Sequence, residues 1–261
     1  MTTLARLREK IAALTTASRP RAVLSTGAAV IDRALPWGGL PTGALHDIAG
    51  GSEDGAATAF VAGLAAAAQR RAGPAPVLWC RHRRESQERG VPYAPGLKAW
   101  GLAPRDVMFV VCNTPRDLLW AMEEGLRAKV FAAVIGDGAA PDFTSARRLQ
   151  LAADGGPAIA LTLLPSGSAA FAHSPALTRW HVAALPSPAA SPFLIARAWS
   201  VALLHCRGAA PAAWTVGWDN FENREKADAP LSGAVAAAMA DGPLAARASA
   251  AAADRRRAGA T

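Results

Sequence analysis

Nine consecutive residues, Gly50, Gly51, Ser52, Glu53, Asp54, Gly55, Ala56, Ala57 and Thr58, carry the glycine spacing of a loop that holds phosphate. Glycines let successive backbone N–H groups turn toward one anion, and a following helix adds the positive end of its dipole. Gly50 and Gly55 fall on the two glycines of the pattern G-x-x-x-x-G-K-[ST]. The residues that would do the chemistry differ. Ala56 stands where the phosphate-binding lysine belongs, and Ala57 where a hydroxyl would hold magnesium. A lysine ammonium ~4 Å from a phosphate oxygen is worth on the order of 4 kcal/mol at an effective dielectric of about 20. Glu53 and Asp54 add two carboxylates that repel a triphosphate, and Thr58 sits one position late. The stretch keeps the shape of an anion cradle and lacks its catalytic charges, so phosphoryl transfer by the usual route is not expected.

The elements that must position this loop can be read from the chain. A strand over residues 44–49 leads into it, and an alanine-rich helix leaves it, ending in the basic turn Arg70-Arg71 and the stop Gly73-Pro74. Apolar runs at 76–80, 107–111, 129–135 and 158–164 read as buried strands. Between them lie helices at 93–102, at 115–127 with Leu118, Leu119, Met122 and Leu126 on one face, and at 142–153. A strand near 181–185 follows, then two more at 198–207 and 214–218 joined by Gly208-Ala209-Ala210-Pro211. Strands alternating with helices predict an α/β fold: a mostly parallel central sheet, helices on both faces, and an antiparallel C-terminal edge hairpin. An amphipathic helix is expected at 3–14, and the Ala/Arg-rich end with Arg255-Arg256-Arg257 reads as a flexible tail.

Composition sets the bounds. The 261 residues are 51% hydrophobic, enough for one full core, and carry a net charge of +8, which permits contact with DNA or an acidic protein. No run of about 18 apolar residues points to a membrane span. Arg6, Arg8, Glu9 and Lys10 interrupt what would be the core of a signal peptide. Cys80, Cys112 and Cys206 are far apart and lack metal-ligand spacing, so they read as reduced interior thiols of a cytoplasmic protein. No metal site and no Ser/His/Asp set is found; the histidines His46, His82, His173, His181 and His205 are scattered. Basic residues gather at Arg81, Arg83 and Arg84, a candidate rim for DNA or a partner protein beside the loop. Trp37, in a Pro-Trp-Gly-Gly turn, is the tryptophan best placed for an exposed contact; Trp79, Trp199 and Trp214 fall within strands.

A wider pattern surrounds the loop: Leu24-Ser25-Thr26-Gly27, Ile31-Asp32, and Gly38-Gly39-Leu40-Pro41-Thr42-Gly43. It closely resembles the opening of the RecA recombinase core, and in particular the ImuA family, RecA-like proteins of the bacterial damage-inducible mutagenesis cassette. The resemblance runs from about Leu24 to Asp219 and implies a RecA-like P-loop fold, with an N-terminal helix over 1–22, a core over 23–220 and a tail over 221–261. Under it, Asp137 takes the Walker B position, and Arg81 stands near the glutamate that serves RecA-like ATPases as general base. An arginine cannot accept a proton from water. Pro165-Ser166-Gly167-Ser168 stands where RecA has an Asn-Gln sensor, and His205 and Arg207 fall near that family's nucleotide-capping lysines.

The resemblance implies a non-catalytic accessory protein of SOS-induced error-prone translesion synthesis. Its implied partners are an ImuB-like inactive Y-family polymerase homologue, an error-prone replicative-type polymerase and RecA itself. No cofactor is expected, ATP binding being weakened by the missing lysine. Two other functions fit parts of the pattern: a weak DNA-dependent ATPase with a displaced site using Thr58 and Asp137, and a cell-division inhibitor of the SulA type.

Overall fold

The computed structural model describes residues 22–50, 55–164, 174–185 and 197–218. The helix expected at 3–14, the tail after 220, and Gly51, Ser52, Glu53 and Asp54 lie outside the described residues.

Among the described residues the chain opens with β1 (Val23–Leu24), α1 (Ala29–Ala34) and β2 (Leu40–Pro41), with β1 and β2 paired antiparallel. The Ser25-Thr26 and Ile31-Asp32 signatures meet here. The Asp32 carboxylate accepts from Ser25 Oγ at 2.5 Å, Thr26 N at 2.9 Å and Thr26 Oγ1 at 2.7 Å. That closes the turn ahead of α1 around one carboxylate.

The central sheet follows. Its strands are β3 (Leu45–Gly50), β4 (Val77–His82), β5 (Val107–Cys112), β6 (Ala133–Asp137), β7 (Ile159–Leu164), β8 (Thr178–Leu185), β9 (Arg197–Cys206) and β10 (Ala212–Trp218). They lie side by side in the order β10-β9-β8-β3-β7-β6-β4-β5. Every pair from β8 to β5 is parallel, and β8, β9 and β10 pair antiparallel. The fold is thus α/β, with a mostly parallel sheet closed by an antiparallel hairpin.

The helices are α2 (Ala56–Ala72), α3 (Arg83–Arg89), α4 (Ala94–Ala99), α5 (Pro115–Ala128) and α6 (Phe143–Ala153). They cover both faces, because alternate side chains of each parallel strand supply two separate cores. On one face Phe60, Val61 and Leu64 of α2 pack with Trp79, Trp180 and Trp199. On the other, Leu118, Met122 and Leu126 of α5 and Leu149 of α6 pack with Leu45, Leu78, Cys80 and Cys112. All three cysteines are buried free thiols. Trp37 departs from expectation: it is half-buried against the α2-side core rather than exposed.

Two boundaries also moved. The strand expected from Lys129 begins at Ala133, because Lys129 ends α5 in the left-handed conformation (φ 56°). The strand expected to stop at Cys80 continues through Arg81 to His82, which decides the chemistry of the site.

Candidate functional site

The carboxyl ends of β3, β4, β6, β7 and β8 open into one cavity of about 730 Å³, and the amino end of α2 forms part of its wall. In open parallel sheets this is where ligands bind. Gly50 ends β3 and Gly55 precedes α2 with φ 64°, a left-handed conformation that suits glycine. A Cβ on Gly50 would lie 2.5 Å from Ala57 Cβ and 2.8 Å from Val182 O, so helix and strand meet there without room for a side chain. Ala56 and Ala57 are both buried in the α2-side core. Thr58 lines the cavity and is half-buried.

β4 and β6 bring Arg81 and Asp137 together. Their parallel register sets Arg81 beside Asp137 and Trp79 beside Ile135. The Arg81 guanidinium forms a short ion pair with the Asp137 carboxylate through Nη1. Trp79 Nε1 donates to the same carboxylate oxygen at 3.1 Å. Through Nη2, Arg81 also donates to Glu85 O at 3.2 Å and Gly90 O at 3.0 Å. Both charged side chains are almost fully enclosed, at 8% and 5% exposure. Burial pushes the Asp137 carboxyl up from its ordinary range, while the Arg81 charge and the Trp79 N–H pull it back.

Glu85 completes the floor. It is buried, pairs with Arg89 at 3.3 Å, and lies over Gly138, whose φ of 92° and lack of a Cβ let the carboxylate stem pass. Across the cavity, Trp100 and Trp199 stack with ring centroids 5.1 Å apart, and exposed Tyr93 forms the outer lip.

The sequence grouped Arg81 with Arg83 and Arg84 as an outward rim. Only Arg83 and Arg84 are exposed, with Arg84 Nε bonded to Glu88 Oε1 at 2.7 Å. Arg81 is turned inward because it occupies a strand position on the same face as Trp79. Asp137, at the Walker B position of the resemblance, is the last residue of β6 and accepts from two donors. His205 is half-buried and Arg207 exposed; burial and the neighbouring Arg179 and Arg207 charges lower the His205 imidazole.

Sequence reasoning missed the Trp79 N–H, Glu85 and the Trp100–Trp199 stack. The signal for the ion pair was present: an arginine and an aspartate each lie near the carboxyl end of a strand of a parallel sheet. The strand order that makes those ends adjacent was not read.

A magnesium–nucleotide complex does not fit these side chains. Ala57 offers no hydroxyl, the lysine position is an alanine packed into the core, and the Asp137 oxygen facing β4 is held by Arg81 and Trp79.

No family model matches the chain. Protein ImuA of Caulobacter vibrioides, in strains NA1000 and ATCC 19089, is 35% identical over 209 residues, covering 75% of this chain and 83% of the relative. The chain belongs to the ImuA family. The site above is therefore a cavity of an ImuA-family protein, placed at the carboxyl edge of its sheet. No helix among the described residues is long and apolar enough to cross a membrane.

Proposed function

We propose that this chain is a non-catalytic, RecA-like accessory protein of SOS-induced error-prone translesion synthesis. It acts by holding an assembly together rather than by turnover, in the cytoplasm. Its partners under this reading are an ImuB-like inactive Y-family polymerase homologue and an error-prone replicative-type polymerase, with RecA as a further contact. Membership of the ImuA family supports the setting. The strand–glycine turn–helix unit of β3 and α2, at the carboxyl edge of a parallel sheet, supports a RecA-like P-loop fold.

The observation that carries the non-catalytic reading is the enclosed Arg81–Asp137 pair. Asp137 is the aspartate that the fold would use for a metal, and the chain's own arginine neutralises it. With Ala56 and Ala57 in place of lysine and hydroxyl, neither phosphate charge nor metal is supported.

The experiment is recovery of partners from DNA-damaged cells with tagged full-length chain, beside ATP turnover by the purified protein. Capture of both polymerase partners with turnover at the buffer blank is the expected result. Magnesium-dependent turnover lost in Asp137→Ala would replace this reading with the displaced-site ATPase. Capture of the division GTPase instead would favour the SulA-type inhibitor.

A further inference from the structure

The geometry points to Arg81 as a tethered cation: its guanidinium takes the place a divalent metal would occupy against Asp137 and locks the cavity floor from within. This deepens the non-catalytic reading above and rests on it. Three features of the site support this role.

The first is charge placement. Asp137 ends β6, and its carboxylate is met by the positive charge of Arg81 from β4. A buried carboxylate needs such a partner, and Arg81 supplies it permanently.

The second is reach. The same guanidinium also donates to the carbonyls of Glu85 in α3 and Gly90 just after it. One side chain therefore ties β4, β6 and the α3–Gly90 segment together. A fixed planar fork does this better than a point charge, since its N–H groups aim in set directions.

The third is the donor set. Among the described residues no trio of His, Cys, Asp or Glu is gathered to hold an ion. Glu85, whose charge acts on Asp137, pairs with Arg89. Magnesium demands near-octahedral oxygen ligands, and the oxygen of Asp137 that faces Arg81 is unavailable to it.

The consequence is structural. The lip formed by α3, Gly90 and Tyr93 is held at one setting by the chain itself. In a protein whose cavity needs a metal–nucleotide complex, that lip would be set by the ligand. Here a partner meets the same surface whether or not nucleotide is present.

The test is chemical rescue of melting temperature, using methylguanidinium at low millimolar concentration and manganese(II) as the metal probe. Wild type is expected to melt at the same temperature with or without manganese. Arg81→Ala is expected to melt roughly 10 °C lower, from the cost of leaving a buried charge unpaired in a domain of this size. Methylguanidinium should recover at least half of that loss in Arg81→Ala and none in Arg81→Ala/Asp137→Asn.

Where Arg81→Ala does not fold, Arg81→Lys carries the test: it keeps the charge and loses the fork, and should still melt several degrees below wild type. Manganese bound by wild type and lost in Asp137→Asn overturns the proposal. So does an Arg81→Ala protein that melts like wild type, or a loss that methylguanidinium does not reduce. These failures are separable from that of the accessory reading, which is read by ATP turnover and partner recovery on the wild type.

Discussion

Among the described residues, the buried carboxylates Asp137 and Glu123 are both held by arginine, and they are held in different ways. Asp137, on the cavity floor, faces Arg81, which is itself enclosed. Glu123 of α5 is just as buried, at 4% exposure, but its partners Arg127 and Arg148 are 56% and 60% exposed. Arg148 Nη2 donates to Glu123 Oε2 at 2.6 Å from α6, so the second arrangement clips two surface helices together. The first has removed both charges from water, and the second only one. A charge that keeps its water loses little when its partner goes, whereas an enclosed charge has nowhere to turn. The two sites look alike as ion pairs and should differ several-fold in what their loss costs.

The largest expected effect is at the floor. Asp137→Ala leaves the Arg81 guanidinium enclosed without its carboxylate and should cost about 3–5 kcal/mol of unfolding free energy. A urea melt at pH 7 measures it. A loss below ~1 kcal/mol would place the pair in the same class as the surface clip and erase the contrast.

A buried group kept neutral comes next. His46 of β3 is completely buried; its Nε2–H donates to Pro41 O at 2.9 Å, which leaves Nδ1 to accept from Thr178 Oγ1 at 2.7 Å. Trp180 Nε1 in turn donates to that hydroxyl at 2.7 Å, so the proton chain has one consistent direction. Protonating Nδ1 would make the Thr178 hydroxyl turn its own proton away and would bury an unpaired positive charge. Burial accordingly lowers the imidazole from 6.5 to about 4, partly opposed by the bond to Pro41. Between those values the unfolded chain takes a proton that the folded chain refuses, so stability falls as pH falls from 6.5 toward 4. The integrated loss is roughly 3 kcal/mol. The imidazole's NMR titration checks it directly: a midpoint near 6.5 in the folded protein would refute the account.

How much of this was legible beforehand follows from range. Leu118, Met122 and Leu126 recur at helical spacing, and all three are buried in α5. The glycines at 50 and 55 with the alanines after them mark a strand–turn–helix junction, and Ala56 and Ala57 lie in the core beside Gly50. Those are local properties, and sequence carries them. Arg81 and Asp137 are 56 positions apart, and nothing in either neighbourhood says that their strands are adjacent. Arg81 was assigned outward because the run Arg81-His82-Arg83-Arg84 reads as a solvated cluster. Two extra strand residues instead put the first arginine on the inward face and leave the others out. A period of two flips a side chain's face with each step, so a small boundary error reverses burial.

At the surface clip the expected cost is smaller. Glu123→Ala removes the buried carboxylate and frees two arginines that remain largely in water, so about 1–2 kcal/mol is expected. A double-mutant cycle with Arg148→Ala isolates the helix-to-helix part. A coupling above ~3 kcal/mol would mean that exposure is a poor guide to an arginine's dependence on its partner.

The smallest effect on stability separates a surface charge's structural role from its recognition role. Arg83 and Arg84 begin α3, both exposed, and Arg84 pairs with Glu88 one turn along. Such an exposed pair is screened by water and contributes little, so Arg83→Ser/Arg84→Ser should melt within a degree or two of wild type. If this lip meets duplex DNA, the same variant should lower the slope of log affinity against log salt by roughly 2, because each arginine releases about 0.9 of a counterion. Fluorescence anisotropy across a salt series reads that slope. An unchanged slope with unchanged melting would assign these two arginines to neither DNA nor the fold and leave the protein partners as the surface's remaining use. At Arg81, by contrast, the chain has already spent its charge internally, and no salt series should find it.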